Sequence, residues 1–327
     1  MPSLTMNGLT LVSRADETVL DTLLRENIPI PNACRQGVCQ SCLMRSIDNP
    51  PPVSSQIGLK ATLQKQNYFL ACVCRPEQDM TLALPDQQSI FIAARVVEKH
   101  RLTADIVRVV LEYETEFNFF AGQFVNLLRD DGLTRSYSIA NRPQADKRLE
   151  FHIRRLPNGQ FSSWVYDELA IGETLTLSEA KGSCHYLSGG EHQPLMLIGT
   201  GSGLAPLRGI INDALAQGHS GAIHLFHGSR THEGLYLVDE MRGLAIKHAN
   251  FYYTPCLSGQ QITTDDYAQG RAHEVALSTI ENLKGWRIYL CGHPEMVSHS
   301  KRVAYLKGAS LADIYADAFH VVVKKSS

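Results

Sequence analysis

Cys34, Cys39 and Cys42 are spaced C-x4-C-x2-C, and Cys72 follows after 29 intervening residues. Three thiolates on one short loop, closed by a distant fourth, form the ligand set of a [2Fe-2S] cluster, in which each iron takes two protein thiolates besides the bridging sulfides. Such a loop must curl round the cluster with backbone N-H groups aimed at the sulfurs, and Gly37 can supply a positive φ there. The same stretch admits a second reading, a tetrahedral zinc site from Cys39, Cys42, Cys72 and Cys74. That site would leave Cys34 idle, and Cys72-x-Cys74 is tighter than the usual zinc spacing.

Four further stretches carry chemistry. Arg135-Ser136-Tyr137-Ser138 offers a guanidinium, an aromatic ring and hydroxyls, and Gly159-Gln160-Phe161-Ser162-Ser163 reads as a helix start. A pyrophosphate is held by a guanidinium and helix N-terminal N-H groups, and a flavin ring needs an aromatic wall; the bland alternative is an ordinary strand and an ordinary N-cap. Gly199-Thr200-Gly201-Ser202-Gly203-Leu204-Ala205-Pro206 lies between a strand and a helix, where glycines let backbone approach a pyrophosphate, although it is not G-x-G-x-x-G. Cys291-Gly292-His293-Pro294 follows an apolar run; alone, Cys291 would read as a small buried hydrophobe.

The elements that must position these residues fall into three groups. Residues 1–88 hold a strand at Leu9–Val12, a helix over Glu17–Leu24, the cysteine loop, a loop fixed by Pro50, Pro51 and Pro52, and a closing strand at Thr81–Leu84. Residues 89–190 hold successive short strands with one helix, Ser162–Leu169, a pattern that predicts a barrel or sandwich. Residues 191–327 alternate strand and helix, which predicts a parallel sheet with crossover helices.

Taken together, these motifs resemble the ferredoxin-NAD(P)+ reductase superfamily, in the form with an N-terminal ferredoxin found in the reductase components of bacterial multicomponent oxygenases. Arg135-Ser136-Tyr137-Ser138 resembles its R-x-Y-[ST] motif, Gly159 to Ser162 its G-x-x-S, Gly199 to Pro206 its G-T-G turn, and Cys291-Gly292-His293-Pro294-Glu295-Met296 its C-G-x-P-x-M. The resemblance implies a β-grasp plant-type ferredoxin, an antiparallel β-barrel flavin domain and a parallel-sheet α/β nicotinamide domain, an α+β and α/β multidomain chain.

It further implies that Cys34, Cys39, Cys42 and Cys72 hold a [2Fe-2S] cluster, with Cys74 a neighbour. Arg135 would bind the FAD pyrophosphate, with Ser136 beside it. Tyr137 and Phe161 would pack by the flavin, Ser138 would approach N5, and Ser162 would cap the helix facing the phosphates from Gly159. Gly199, Thr200, Gly201, Gly203, Pro206, Arg230, Gly292 and Pro294 would hold the nicotinamide nucleotide, with Cys291 against the nicotinamide. FAD rather than FMN rests on the resemblance, as does NADH over NADPH: Leu257-Ser258-Gly259 stands where 2′-phosphate binders carry Ser-Arg. Tyr315 to Phe319 resembles an aromatic terminus that packs near the flavin, and Gln40 departs from the family's usual glycine after the second cysteine.

The expected activity is electron transfer from NADH through FAD and the cluster to a separate protein, an oxygenase or hydroxylase component. The alternatives are the same chain of carriers serving a deoxysugar-forming or other metalloenzyme, and a zinc or cluster redox-sensing module. Composition narrows the classes: 31 Lys+Arg against 33 Asp+Glu, with no basic run, excludes a nucleic-acid footprint. No apolar run reaches membrane-span length and no signal-like N-terminus is present, so a cytoplasmic, monomeric protein is expected. Five of the eight cysteines fall between Cys34 and Cys74, which suits a metal centre more than a disulfide framework. Residues 1–88 carry eight acidic and seven basic side chains, with Arg35, Arg45 and Arg75 nearest the ligands, an expected docking rim for an acidic acceptor surface.

Overall fold

The computed structural model describes residues 2–32, 35, 37, 40, 42–85, 91–262 and 264–319. The chain divides into two compact units, residues 1–88 and 89–327.

In the first unit, β1 (Ser3–Met6) and β2 (Leu9–Val12) form a hairpin, followed by α1 (Val19–Arg25), β3 (Leu43–Ser46), α2 (Ala61–Lys65), β4 (Tyr68–Leu70) and β5 (Met80–Ala83). The sheet order is β2-β1-β5-β3-β4, with β1 and β5 parallel and the other neighbours antiparallel, a β-grasp arrangement. α1 starts where Thr18 accepts from the Asp21 N-H while Asp21 bonds back to the Thr18 N-H, a reciprocal cap that satisfies two orphan donors. The helix then buries Val19, Leu20 and Leu23 against Leu4, Met44 and Phe69 of the sheet.

The second unit opens with β6 (Phe91–Arg101), β7 (Ile106–Tyr113), β8 (Phe124–Leu128), β9 (Thr134–Ser138), β10 (Arg148–Arg154), α3 (Gln160–Asp167) and β11 (Thr174–Ser178). These strands order as β10-β7-β6-β11-β8-β9, all antiparallel. An Ile139–Phe151 bridge and the Ala140 N-H donating to Glu150 O at 2.8 Å join the two edges, so the sheet closes into a barrel. Alternation fills its inside: Val96, Val109, Leu111, Val125, Leu127 and Phe151 are buried together with Phe161 and Val165 of α3.

The same unit continues through β12 (Leu195–Thr200), α4 (Leu204–Ala216), β13 (Ile223–Ser229), α5 (Val238–Lys247), β14 (Phe251–Leu257), β15 (Ala268–Gln269), α6 (Ala272–Thr279), β16 (Arg287–Gly292), α7 (Pro294–Leu306) and β17 (Ile314–Ala318). The all-parallel order is β15-β14-β13-β12-β16-β17. From β12 the chain winds outward through β15, then returns to β16 on the other side. The switch point between β12 and β16 opens a crevice at the strands' carboxyl ends, where such sheets bind ligands.

Several elements differ from the sequence-based expectation. α3 begins at Gln160, two residues before Ser162, because Gly159 rather than the serine takes the cap position. Cys291 and Gly292 lie inside β16 rather than after its apolar run, because both pair across the sheet, and β17 adds a further strand. β3, α2 and β4 were not foreseen: each is five residues or fewer, too short to display a period.

Candidate redox site

Cys34 and Cys39 lie outside the described residues. Cys42 and Cys72 are brought together by β3 and β4, whose pairing sets Leu43 opposite Leu70, with the Ala71 N-H donating to Cys42 O at 3.0 Å. Burial pushes the Cys42 thiol up to about 11, and the neighbouring Cys72 adds to the rise. Cys42 and Cys72 are thus two neighbouring thiols that a bound metal would hold as thiolates, half of the expected donor set. Cys74 is fully buried, with burial raising it to about 12, and its carbonyl accepts from the Val19 N-H at the start of α1.

Gly37 has φ +75°, the left-handed conformation that the loop was expected to require. Gln40 has φ +58°, which explains why a glycine suits that position; its Nε2 donates to Gly58 O at 3.1 Å. Arg35 and Arg75 are exposed, while Arg45 is half-buried with Nε donating to Gln66 O at 3.3 Å.

In the barrel, β9 pairs with β8 and presents Arg135 and Ser136 to solvent, with Tyr137 half-buried. The Tyr137 ring lies 5.6 Å from that of Phe161, an aromatic wall built from the strand and the first turn of α3. No side chain caps α3, which leaves its first-turn N-H groups available to an anion. Ser162 does not perform the expected capping: it is buried, accepts from the Leu156 N-H at 3.1 Å and donates to Gly159 O at 3.4 Å. It shapes the turn leading into the helix, and the groups that the helix start leaves open to an anion are backbone amides.

The nucleotide crevice is assembled by register. Pro255, His227, Gly199, Cys291 and Asp317 pair in one row across β14, β13, β12, β16 and β17. Just beyond, Gly201 to Gly203 make a single 3-10 turn into α4, whose N-terminus also lacks a side-chain cap. A Cβ on Gly203 would sit 2.2 Å from Cys291 O, so only glycine lets the turn lie against β16. Thr200 Oγ1 accepts from the His293 N-H at 3.3 Å, and Pro294 starts α7 at its first turn, its missing N-H costing nothing there. Pro206 is buried in α4 and Arg230 is exposed just past β13.

A hydrogen bond joins the end of β9 to the crevice. Ser138 Oγ donates to Asp317 Oδ2 at 2.8 Å, and burial raises the Asp317 carboxyl above its ordinary value. Cys291 is fully buried, its Sγ 3.7 Å from that of Cys184, and burial pushes its thiol well up. Phe319 is half-buried and its N-H donates to Gly292 O at 2.8 Å. Reading the motifs alone missed Asp317 and Cys184; a lone acid in the apolar strand Ile314–Ala318 was the one available signal for the first.

The uncapped helix starts, the aromatic wall and the glycine-lined turn fit a flavin and a nicotinamide nucleotide. Comparison with known proteins agrees. Residues 4–77 match the family described as 2Fe-2S iron-sulfur cluster binding domain, 93–186 the oxidoreductase FAD-binding domain, and 197–302 the oxidoreductase NAD-binding domain. The chain is 31% identical to the ferredoxin-NAD(P)(+) reductase component of naphthalene 1,2-dioxygenase/salicylate 5-hydroxylase systems of Ralstonia sp, with 96% of each chain covered. It is also 31% identical to the phenol hydroxylase P5 protein of Acinetobacter pittii, over 95% of this chain and 92% of that one. The crystal structure of the Amycolatopsis cytochrome P450 reductase GcoB superposes with TM-score 0.69 at 29% identity, covering 98% and 99% of the two chains. These matches do not favour a zinc or redox-sensing module. The chain belongs to the ferredoxin-NAD(P)+ reductase family, as an iron-sulfur flavoprotein that transfers electrons from NAD(P)H by way of FAD and a [2Fe-2S] cluster to a separate protein.

Proposed function

We propose that the donor is NADH and that the acceptor is the oxygenase or hydroxylase component of a multicomponent system, as the names of its relatives suggest. The work divides among residues 1–88, 89–190 and 191–327, which would hold cluster, FAD and nucleotide in turn. When bound, the nicotinamide supplies a hydride, the flavin exchanges that electron pair for single electrons, and the cluster passes them on one at a time. Arg135, Ser136 and the amides after Gly159 hold the flavin phosphates, Tyr137 and Phe161 flank the ring, and Cys34, Cys39, Cys42 and Cys72 ligate the iron. Gly199, Thr200, Gly201, Gly203, Pro206, Gly292 and Pro294 cradle the nucleotide against Cys291. Leu257-Ser258-Gly259 stands where 2′-phosphate binders carry Ser-Arg, which supports NADH over NADPH, and Arg230, just past β13, is the cation of this set placed to contact a phosphate of the nucleotide.

The observation that supports bringing flavin and nucleotide together is the 2.8 Å Ser138–Asp317 bond, which ties the end of β9 to the row containing Cys291. Ser138 then orients its hydroxyl at the reacting face, and Asp317, raised by burial, fixes that orientation. Ser138→Ala removes one oriented hydrogen bond, so NADH should reduce the flavin about tenfold more slowly at unchanged flavin content. A wild-type rate would remove Ser138 from the mechanism, and equal reduction by NADPH would overturn the donor assignment. Arg35, Arg45 and Arg75 form the docking rim of a monomeric, cytoplasmic protein; among the described residues no helix is long and apolar enough to cross a membrane. Arg→Gln changes at the rim should slow electron delivery to the acceptor and weaken its salt dependence, with flavin reduction unaltered; insensitivity to both would refute the rim.

A further inference from the structure

Helix α4 carries the nicotinamide turn at its N-terminus, and its second turn is fastened to the barrel by three consecutive residues. Arg208, only 16% exposed, donates from Nη1 to Ala140 O and to Glu150 Oε1, each at 3.2 Å, and from Nε to Glu240 Oε1 at 2.6 Å. Ala140 lies two residues past Ser138, Glu150 is on β10, and Glu240 is on α5. A Cβ on Gly209 would lie 3.2 Å from Ile139 O and 3.3 Å from Asn141 O, so the helix rests directly on the backbone that leaves Ser138. Ile210 packs so closely on Gly122 that a Cβ there would stand 2.7 Å from its side chain.

The joint is charged and buried. Glu150 also accepts from Arg108 Nη2 at 3.1 Å and from His152 Nε2 at 2.9 Å. Burial alone would raise the Glu150 carboxyl, but the bonds from His152 and Arg108 and the charge of Arg208 bring it below its ordinary range. His152 Nδ1 in turn meets Tyr236 Oη at 3.1 Å, a second tie from β10 to the segment before α5. A buried guanidinium that serves three acceptors on three elements is an expensive way to hold a surface together, and its orientation is fixed by all three at once.

We infer that Arg208 is a positioning residue for hydride transfer: by joining Ala140, Glu150 and Glu240 it sets the spacing between the Gly199–Gly203 turn and the strand that ends in Ser138. This rests on the reading that Ser138 faces the flavin and that the turn holds the nicotinamide nucleotide. Loss of near-attack geometry costs rate far more than binding, and a displacement of about 1 Å can cost on the order of 100-fold. Arg208→Lys keeps the charge but cannot reach three acceptors in one plane. Glu240→Gln weakens only the α5 arm.

The test uses full-length, flavin-loaded protein and two readouts. Hydrogen exchange in residues 139–154 and 199–212 should become about tenfold faster in Arg208→Lys, with the rest of the chain unchanged. Single-turnover flavin reduction at saturating NADH should fall about tenfold with KM within about twofold of wild type, and by about threefold in Glu240→Gln. Should Arg208→Lys fail to fold, the Glu240→Gln rate decides alone. Reduction at the wild-type rate, a slowing that only tracks lost flavin, or a raised KM at unchanged rate would overturn the inference. A wild-type protein that NADH does not reduce at all would refute instead the function on which it rests.

Discussion

Arg135 and Ser138 lie three positions apart on β9 and face different surroundings: one is an exposed cation, the other buries a hydroxyl against Asp317. Replacing Arg135 with Ala removes a charge-assisted bond of about 1.5–3 kcal/mol, so FAD affinity should drop tenfold or more while the cluster spectrum stays intact. Retention of full flavin after dialysis would contradict the assignment. A second residue-scale consequence concerns His227, which is fully buried, bonds Tyr253 Oη through Nδ1 at 3.2 Å and has no partner for Nε2. Burial, with His152 nearby, pushes it down to about 3 from an ordinary 6.5. The unfolded chain therefore binds this proton more readily, and stability is full above about pH 6.5 and declines as pH falls toward 3, by on the order of a few kcal/mol. Denaturant melts at pH 7 and pH 4.5 should show this loss in the wild type and a smaller one in His227→Gln; identical losses would place the acid sensitivity elsewhere.

At the scale of elements, the crevice depends on β12, the turn and β16 lying closer than a side chain permits. Gly203→Ala would place a methyl 2.2 Å from Cys291 O, and backbone cannot yield cheaply, so a loss of about 3 kcal/mol or more and of nucleotide binding is expected. Wild-type melting and NADH binding in that variant would show that the turn is looser than described. The barrel strands and most of the α/β alternation were legible in the sequence, because strands of five residues or more leave a β-branched or apolar run bounded by turn residues. β4 was not, since at three residues it is too short to display a period or an apolar run. The motif serines show the other limit. Ser138 could be placed from its neighbours, whereas its partner Asp317 is 179 residues away and no local pattern announces such a contact. Ser162 was assigned a cap because serine favours caps, but Gly159 took that position and the hydroxyl turned back to Leu156. Cys42 and Cys72 meet because two short unforeseen strands pair, although the spacing of the cysteines had already implied a shared centre.

At the scale of the molecule, the chain divides into two compact units, with the four proposed cluster ligands in residues 1–88 and the proposed flavin and nucleotide motifs in 89–327. A chain beginning at Ser89 should keep flavin and NADH-dependent reduction of ferricyanide, which takes electrons from flavin, and lose delivery to acceptors that depend on the cluster. Undiminished delivery to such acceptors would contradict a sequential path. The most direct test of that path is anaerobic titration of the intact protein with NADH, followed by absorbance and electron paramagnetic resonance. A flavin that stores two electrons and a cluster that stores one call for full bleaching at about 1.5 equivalents of NADH per chain, with the signal of a reduced [2Fe-2S] centre, and for loss of that signal in flavin-free protein. Bleaching that stops at about one equivalent with the cluster still oxidised, or a cluster reduced by NADH without flavin, would contradict the account.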